Sequence, residues 1–162
     1  MVRDGSPVQA WRHSLIRPAT TPEQRASLLD WAAKEAAVAG HDFVGSAPFE
    51  AFAVIRQDRL VGAIFLTNFR RGDAEISVVG RKGWLSKAVC VEFFTFCFQV
   101  AKLSRITSFV ARRHKRARKL NEGIGFVLEG VKKKGIDGKS DLIMYGMTAQ
   151  QCRWINGNLQ RA

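Results

Sequence analysis

The chain has 162 residues, of which 46% are hydrophobic and 25% charged, and its formal net charge is +12. This length fits one domain with a sizeable core, and the composition excludes a wholly disordered chain. The longest apolar run, Ala88–Ala101, is interrupted by polar residues and is shorter than the ~20 residues that a bilayer span needs, so it predicts a buried helix. The positive charge favours anionic partners: phosphate-bearing cofactors, nucleic acid or acidic protein surfaces.

The N-terminal residues and the cysteines predict neither a signal peptide nor metal chemistry. The N-terminus has no basic start followed by an apolar stretch, so we expect no signal peptide and a cytoplasmic protein. The three cysteines, Cys90, Cys97 and Cys152, have no close-paired spacing, so we expect neither a disulfide framework nor a metal site. Cys90 and Cys97 lie seven residues apart, which places them on the same face of a helix as small core residues.

The first half of the chain predicts a strand, a helix and an antiparallel meander. After a candidate strand at 9–17, Thr21-Pro22-Glu23-Gln24 is typical of a capped helix start, and this helix should run to about Ala39. Three strand-like runs follow at 51–56, 60–67 and 73–79. Because only short turns separate them, they predict an antiparallel meander.

The second half alternates helix and strand. We expect a helix from about residue 84, a strand at 105–111, a basic helix at 115–122, a strand at 141–148 and a short helix at 149–154. A strand that follows a crossover helix requires a parallel pairing with the strand before that helix. The sequence therefore predicts one α/β domain over residues 1–162, with a mixed central sheet flanked by helices.

The junction of the third meander strand and the following helix predicts a phosphate site. At such a junction the backbone N–H groups have no helical partners and the helix dipole adds partial positive charge, which favours a diphosphate. Glycines allow a tight backbone there, and lysine and arginine add charge. The candidate residues are Val79, Arg81, Lys82, Gly83, Trp84, Leu85, Ser86 and Lys87. The alternative is a plain strand–helix turn whose glycines serve only its geometry.

A resemblance to a known family appears downstream. Leu120-Asn-Glu-Gly-Ile-Gly-Phe126, followed by Glu129-Gly130-Val131, resembles the corresponding stretch of GNAT-superfamily N-acetyltransferases, and the resemblance extends over about residues 50–155. It implies a GNAT-like, mostly antiparallel mixed sheet, acetyl-CoA as cofactor and direct attack of an amine on the thioester. It also implies that Arg112, His114, Arg116 and Lys119 lie near the cofactor.

The resemblance extends to a base and to a subgroup. Glu75, on the strand before the turn, is the candidate general base, because family members often carry a glutamate there. His41 and Asp42 are weaker candidates. Gly83-Trp84, Tyr145-Gly-Met147 and the stretch ending at Trp154 resemble acetyltransferase-like proteins encoded by phages, which implies host cytoplasm or the virion as the setting.

The sequence also departs from the family pattern. Trp84 and Leu85 occupy the region where the turn of the family has a second glycine, His114 stands in place of an asparagine, and Asn121 stands where many members have a tyrosine that protonates the departing thiolate. Two alternatives to an active acetyltransferase therefore stay open: a catalytically weak or inactive GNAT-like phage structural or host-interaction protein, and a basic nucleic-acid-binding module. The aromatic helix around Phe93, Phe94, Phe96 and Phe98 further predicts a homodimer, since its apolar circumference exceeds what one sheet covers.

Overall fold

The computed structural model describes residues 15–38 and 49–155, so His41, Asp42 and most of the predicted strand at 9–17 lie outside the described residues. None of the helices in these two ranges has the length and apolarity to cross a membrane. The elements are β1 (Ile16–Pro18), α1 (Pro22–Val38), β2 (Phe49–Arg56), β3 (Arg59–Arg70), β4 (Asp73–Gly80), α2 (Lys87–Thr95, continued by a π-helical turn over Phe96–Val100), β5 (Arg105–Ala111), α3 (Lys115–Ile124), β6 (Val127–Lys132) and β7 (Leu142–Thr148).

The seven strands form a single mixed sheet in the order β1-β2-β3-β4-β5-β7-β6. Every neighbouring pair is antiparallel except β4 and β5, which are joined through α2 and run parallel. The mixed, mostly antiparallel sheet is confirmed, and so is the parallel pair that the crossover requires. β3 continues three residues beyond the predicted end at Thr67, because its bulged end near Asn68 lets Arg70 pair with Asp73.

The first helix begins as predicted. Thr21 Oγ1 accepts the N–H of Gln24 (3.2 Å), and the Gln24 side chain accepts the N–H of Thr21 (3.3 Å), which is the reciprocal capping arrangement. Leu28, Ala32 and Ala36 of α1 are buried, and this face packs on the sheet together with Ala51, Ala63 and Phe65. The helix therefore covers one face of β2, β3 and β4.

The opposite face of the sheet is covered by α2. Val89, Cys90, Phe93, Phe94, Cys97 and Phe98 are buried against strand residues, and Phe96 packs on the same cluster. The phenylalanines also contact one another, for example Phe52 with Phe93 at 5.8 Å between ring centroids. Since the chain itself covers these side chains, they no longer supply a reason for the predicted dimer.

One predicted helix boundary is wrong, and one predicted helix is absent. α2 begins at Lys87 rather than at Trp84, because Ser86 is its N-cap and its Oγ accepts the N–H of Val89 at 3.2 Å. Residues 149–154 form turns instead of a helix. In this segment Trp154 Nε1 donates to the carbonyl of Ile124 (2.8 Å), and Arg153 donates to the carbonyl of Gly123, so both side chains are held at the end of α3.

The parallel strands β4 and β5 separate partway along their length. They pair only from Asp73 with Arg105 to Ile76 with Ser108. Beyond that point β4 continues to Gly80 and β5 to Ala111 without pairing to each other. Val78, on the unpaired part of β4, is 37% exposed. The sheet therefore has an opening between its two central strands, directly before the turn into α2.

Candidate cofactor site

The turn between β4 and α2 is fastened to the sheet at its start. The N–H of Arg81 donates to the carbonyl of Val61 on β3 (2.9 Å), and the N–H of Trp84 donates back to the carbonyl of Arg81 (3.0 Å). Gly83 has a φ of +74°, a conformation that glycine adopts without strain. The turn thus folds by its own hydrogen bonds, and the N–H of Trp84 is not available to a ligand.

The Trp84 side chain is buried in the core and does not point into solvent from the turn. Gly62 on β3 and Gly80 on β4 are register partners, and the indole lies over both of them. The ring is 7% exposed and belongs to the same apolar cluster as α2. Trp84, which the sequence placed among the cofactor residues, is therefore a structural residue that fixes the turn.

On both sides of Trp84, the backbone of the turn offers several free donors. In the described part of the chain no hydrogen-bond partner exists for the N–H groups of Lys82, Gly83, Leu85, Ser86, Lys87 and Ala88. Those of Lys87 and Ala88 belong to the first turn of α2, where the helix dipole adds partial positive charge. The turn has the donor set that a diphosphate requires.

The unpaired end of β4 adds two further donors. Along an antiparallel pair, the N–H groups point alternately toward the partner strand and away from it. Because Arg81 donates to Val61 on β3, the N–H groups of Val79 and Ser77 also point to β3, whereas those of Val78 and Gly80 point into the opening. Val78 rather than the predicted Val79 therefore presents its backbone amide at this site.

A cavity of about 230 Å³ lies between the start of α2 and the last turns of α3. It brings together Leu85, Ser86 and Lys87 from the turn with Lys119 from the basic helix, four of the residues that the sequence selected. Its other walls are Cys90, Leu120, Gly123, Ile124 and Trp154. Burial raises the pKa of the Cys90 thiol to about 11, so this wall is uncharged at neutral pH.

The sequence did not select Leu120, Gly123 and Ile124 as site residues. Their spacing could have identified them as neighbours, since residues three and four apart on a helix lie on one face. This spacing places Leu120, Gly123 and Ile124 along one side of α3, with Lys119 beside them. The helical spacing gives no information about Trp154, which lies 30 residues after Ile124 and lines the same cavity.

The side chain of Arg81 points toward α1 and away from the turn. Its guanidinium donates to Glu35 Oε1 from Nη2 (2.5 Å) and Nε (3.1 Å), and it stacks over the Trp31 ring at 5.7 Å. The hydrogen bond from Arg81 also lowers the pKa of Glu35. Arg81, predicted to bind the cofactor, instead ties the turn to α1 on the other face of the sheet.

The remaining predicted cations lie at the start of α3. His114 is the N-cap residue of α3, and its side chain makes no capping hydrogen bond. Arg112 forms an ion pair with Asp141 (3.7 Å). Arg116 is exposed on the helix, outside the cavity walls. Lys119 is thus the member of this group that lines the cavity, and Arg112, His114 and Arg116 stay predictions.

Glu75, the predicted base, lies one residue before the opening. It sits between Thr67 on β3 and Thr107 on β5, on the α1 face of the sheet. Asn68 Nδ2 donates to its Oε2 (2.8 Å), and Arg70 Nη2 lies 3.5 Å from its Oε1. A carboxylate has about four lone-pair sites, so these two partners leave capacity to accept a proton.

No tyrosine faces the cavity from the described residues. Asn121 occupies the α3 position where the resemblance expects one. Tyr145 on β7 is fully buried, and its hydroxyl donates to Glu122 Oε1 (2.9 Å) and accepts from Arg118 Nε (3.4 Å). Burial raises the pKa of this hydroxyl. Tyr145 therefore joins β7 to α3 as a core residue.

Several solved acetyltransferase structures share this fold. A protein provisionally assigned as an acetyltransferase aligns with a TM-score of 0.58 at 20% identity, over 66% of this chain and 62% of its own. A second protein with such an assignment aligns at 0.55 and 25% identity, over 64% of both chains. The spermidine/spermine N-acetyltransferase SpeG from Vibrio cholerae aligns at 0.56 and 22% identity, over 70% of this chain and 71% of its own.

These alignments confirm the GNAT-like fold that the sequence resemblance implied. The chain spans less than two thirds of the length of the first two structures. No protein-family model and no curated protein sequence matches the chain. What is shared is therefore the arrangement of the sheet and its helices.

Proposed function

We propose that this chain is an acetyl-CoA-dependent N-acetyltransferase that moves an acetyl group to an amine by direct attack on the thioester. The observation that carries the proposal is the opening between β4 and β5 beside a cavity lined by Lys87 and Lys119 and a turn in which six amides have no partner among the described residues. Amides at a helix start and lysines suit a diphosphate. A spermidine/spermine N-acetyltransferase with the same fold supports an amine acceptor.

The residues present fit part of acetyl-CoA. The cavity is smaller than the roughly 300–1,000 Å³ of a complete small-molecule site, so it would hold the diphosphate segment. Ser86, Lys87 and Lys119 would hold that segment through backbone amides and charge. The remainder of the molecule would extend into the opening, where Val78 and Gly80 present free N–H groups.

The chain's own groups would then serve the transfer. When bound, acetyl-CoA would supply a thioester whose carbonyl carbon the acceptor nitrogen attacks as the C–S bond breaks, so that CoA leaves as a thiolate, which takes up the proton that the acceptor nitrogen loses. The Val78 N–H is the donor available to stabilise charge on the carbonyl oxygen. Glu75 would take the proton of the acceptor ammonium, directly or through water, so that the amine is neutral when it attacks. Host cytoplasm or a virion as the setting rests on the resemblance to phage-encoded proteins.

Calorimetric titration with acetyl-CoA tests the proposal. We expect binding that Lys87→Glu weakens about 10- to 100-fold, the equivalent of one charge-assisted hydrogen bond at about 1.5–3 kcal/mol. Arg59→Glu, a reversal of an exposed charge at the start of β3, is the matched control and should leave the affinity unchanged. Absence of binding at millimolar acetyl-CoA would refute the proposal.

One observation favours the alternative of a GNAT-like protein without turnover. Within residues 15–38 and 49–155 the only tyrosine is Tyr145, which is buried and faces Glu122 and Arg118. A tyrosine acid at the cavity is therefore missing. Measuring CoA release with a panel of amines separates the two functions, because a protein of the second kind binds acetyl-CoA and releases no CoA beyond the uncatalysed rate.

A further inference from the structure

The positive charge of the chain is concentrated in two segments. Residues 112–119 contain six lysine and arginine side chains and no acid, and residues 132–141 contain four cations and two aspartates. Together they carry a formal charge of +8, two thirds of the +12 of the whole chain. The proposed cofactor site uses only Lys119 of this set as a cavity wall. Most of this charge therefore has no part in that site.

The fold joins the two segments into one surface. The first runs from the end of β5 into α3, and the second is the turn of the β6–β7 hairpin. The N–H of Arg112 donates to the carbonyl of Asp141 (3.0 Å), and the Arg113 guanidinium donates to Ser140 Oγ (3.0 Å). We call the exposed cations of these two segments the basic surface.

The two aspartates in the hairpin stabilise its turn through hydrogen bonds. Asp137 Oδ1 accepts the N–H groups of Lys139 (2.8 Å) and Ser140 (2.6 Å), and these bonds lower its pKa to about 2. Asp141 accepts the N–H of Lys134 (3.2 Å) and the ammonium of Lys133 (3.2 Å). Both carboxylates therefore hold the turn. Asp141 also pairs with Arg112 and Lys133, and Asp137 pairs with Arg113.

The other cations of the basic surface are unpaired and exposed. Among the described residues, no carboxylate lies within ion-pair distance of Lys115, Arg116, Lys119, Lys132, Lys134 or Lys139. Unpaired like charges crowded on one surface repel each other and destabilise the compact state. A surface of this kind gains free energy when a polyanion replaces its counterions.

The composition of the surface distinguishes a nucleic acid from an acidic protein. Stable protein interfaces need buried aromatic or aliphatic anchors, and Ile136 is the only exposed large apolar side chain of these two segments. Duplexes carry one phosphate charge per ~1.7 Å of axis, so a stretch as long as α3, about 15 Å, presents on the order of nine charges. No exposed aromatic side chain of the two segments offers a stacking platform for single strands.

We propose that the basic surface binds the phosphate backbone of double-stranded nucleic acid without sequence preference. Up to five unpaired cations, Lys119 being left to the cofactor cavity, contact phosphates, while Ser86, Lys87 and Lys119 leave room for a cofactor in that adjacent cavity. The proposal stands independently of acetyl transfer, because it uses the hairpin and the start of α3 and needs no turnover.

Fluorescence anisotropy with labelled DNA and RNA duplexes tests this surface. Five phosphate contacts predict a fall in affinity of about 500-fold between about 50 and 200 mM salt. The variant Lys132→Gln/Lys134→Gln/Lys139→Gln should weaken binding about tenfold or more at low salt and reduce the slope of log K against log salt by about 2–3. These lysines lie outside the cavity walls, so acetyl-CoA binding should not change.

A charge-matched control distinguishes binding by the basic surface from a general effect of the net charge of the protein. Arg59→Gln/Arg71→Gln/Lys102→Gln removes three exposed cations that lie outside the two segments of the basic surface and should leave the salt slope near that of the unmodified protein. An equal effect of both triple variants, or no duplex binding at about 50 mM salt, would overturn the proposal. Equal displacement of the duplex by poly-glutamate at the same charge concentration would instead assign an acidic protein partner. The DNA and RNA arms show which duplex is preferred.

Discussion

A single methyl group at Gly80 should displace the turn that we propose to bind a diphosphate. In Gly80→Ala, the new Cβ would lie less than 3.0 Å from Cγ, Cδ1 and Cδ2 of the Trp84 ring, a separation that real Cβ atoms do not show. The ring is 7% exposed and packed in the core, so it has no free space on its other side. Either the indole moves with the turn or the sheet deforms.

The size of the effect follows from these two outcomes. Overpacking a core by one methyl group costs about 1–3 kcal/mol, and complete loss of a buried tryptophan costs about 3–5 kcal/mol. We therefore expect Gly80→Ala to lower the free energy of unfolding by about 2–4 kcal/mol and Tm by about 4–16 °C. The affinity for acetyl-CoA should fall as well, since the free amides of the turn lie directly before and after Trp84.

Urea unfolding followed by far-UV circular dichroism measures the loss, and a double-mutant cycle identifies its cause. If the clash with the indole is responsible, Gly80→Ala should cost little when Trp84 is already alanine. Gly123→Ala is the control: nothing lies within 4 Å of its added Cβ, and alanine in a helix should stabilise α3 by about 0.5–1 kcal/mol. A Gly80→Ala protein as stable as the unmodified chain would refute the packing argument.

Three further changes test other parts of the fold. Thr21→Ala removes the acceptor of the Gln24 N–H and should cost about 1 kcal/mol in urea unfolding. Because the pKa of Asp137 is lowered to about 2, its contribution is complete above the unfolded value near 3.9 and is lost as pH falls toward 2; Asp137→Asn should remove this part of the acid sensitivity of unfolding. Tyr145→Phe should cost about 1 kcal/mol of stability and leave the rate of CoA release nearly unchanged, whereas a general acid would lose about 10²–10⁴-fold.

The elements that local sequence determines were predictable. The cap at Thr21 depends on residues three apart, and the meander depends on alternation and on short turns. The parallel pair of β4 and β5 follows from the crossover rule, although its separation after Ile76 does not. Periodicity identifies a strand, but it carries no information about where two strands part.

Errors in the candidate site come from contacts between distant residues. The sequence places Trp84 in the turn. Its ring packs on Gly62 and Gly80, and these two glycines are neighbours only because β3 and β4 pair in this register. Arg81 looked like a phosphate ligand, yet its partner Glu35 is 46 residues away. In both cases a contact with a residue distant in sequence decides where the side chain lies.

The predicted helix at 149–154 is absent because long-range contacts compete there with a local helix signal. Gln151 and Thr148 exchange the hydrogen bonds of a helix start: Thr148 Oγ1 accepts the N–H of Gln151 (3.3 Å), and Gln151 Oε1 accepts the N–H of Thr148 (3.1 Å). The helix does not continue because Arg153 and Trp154 donate to the last carbonyls of α3. A nascent helix of so few residues has little stability of its own, so these two contacts prevail.

These contacts give the proposed cofactor cavity two walls that are fixed independently of any ligand. The wall at the start of α2 is held by Trp84 on its glycine pair, and the wall at the end of α3 is held by Trp154 and Arg153. Gly125, with a φ of +115°, ends α3 and directs the chain into β6. A site whose walls are already ordered loses little conformational entropy on binding. For this reason a change beneath either wall, such as Gly80→Ala, should appear in the affinity for acetyl-CoA as well as in the stability of the fold.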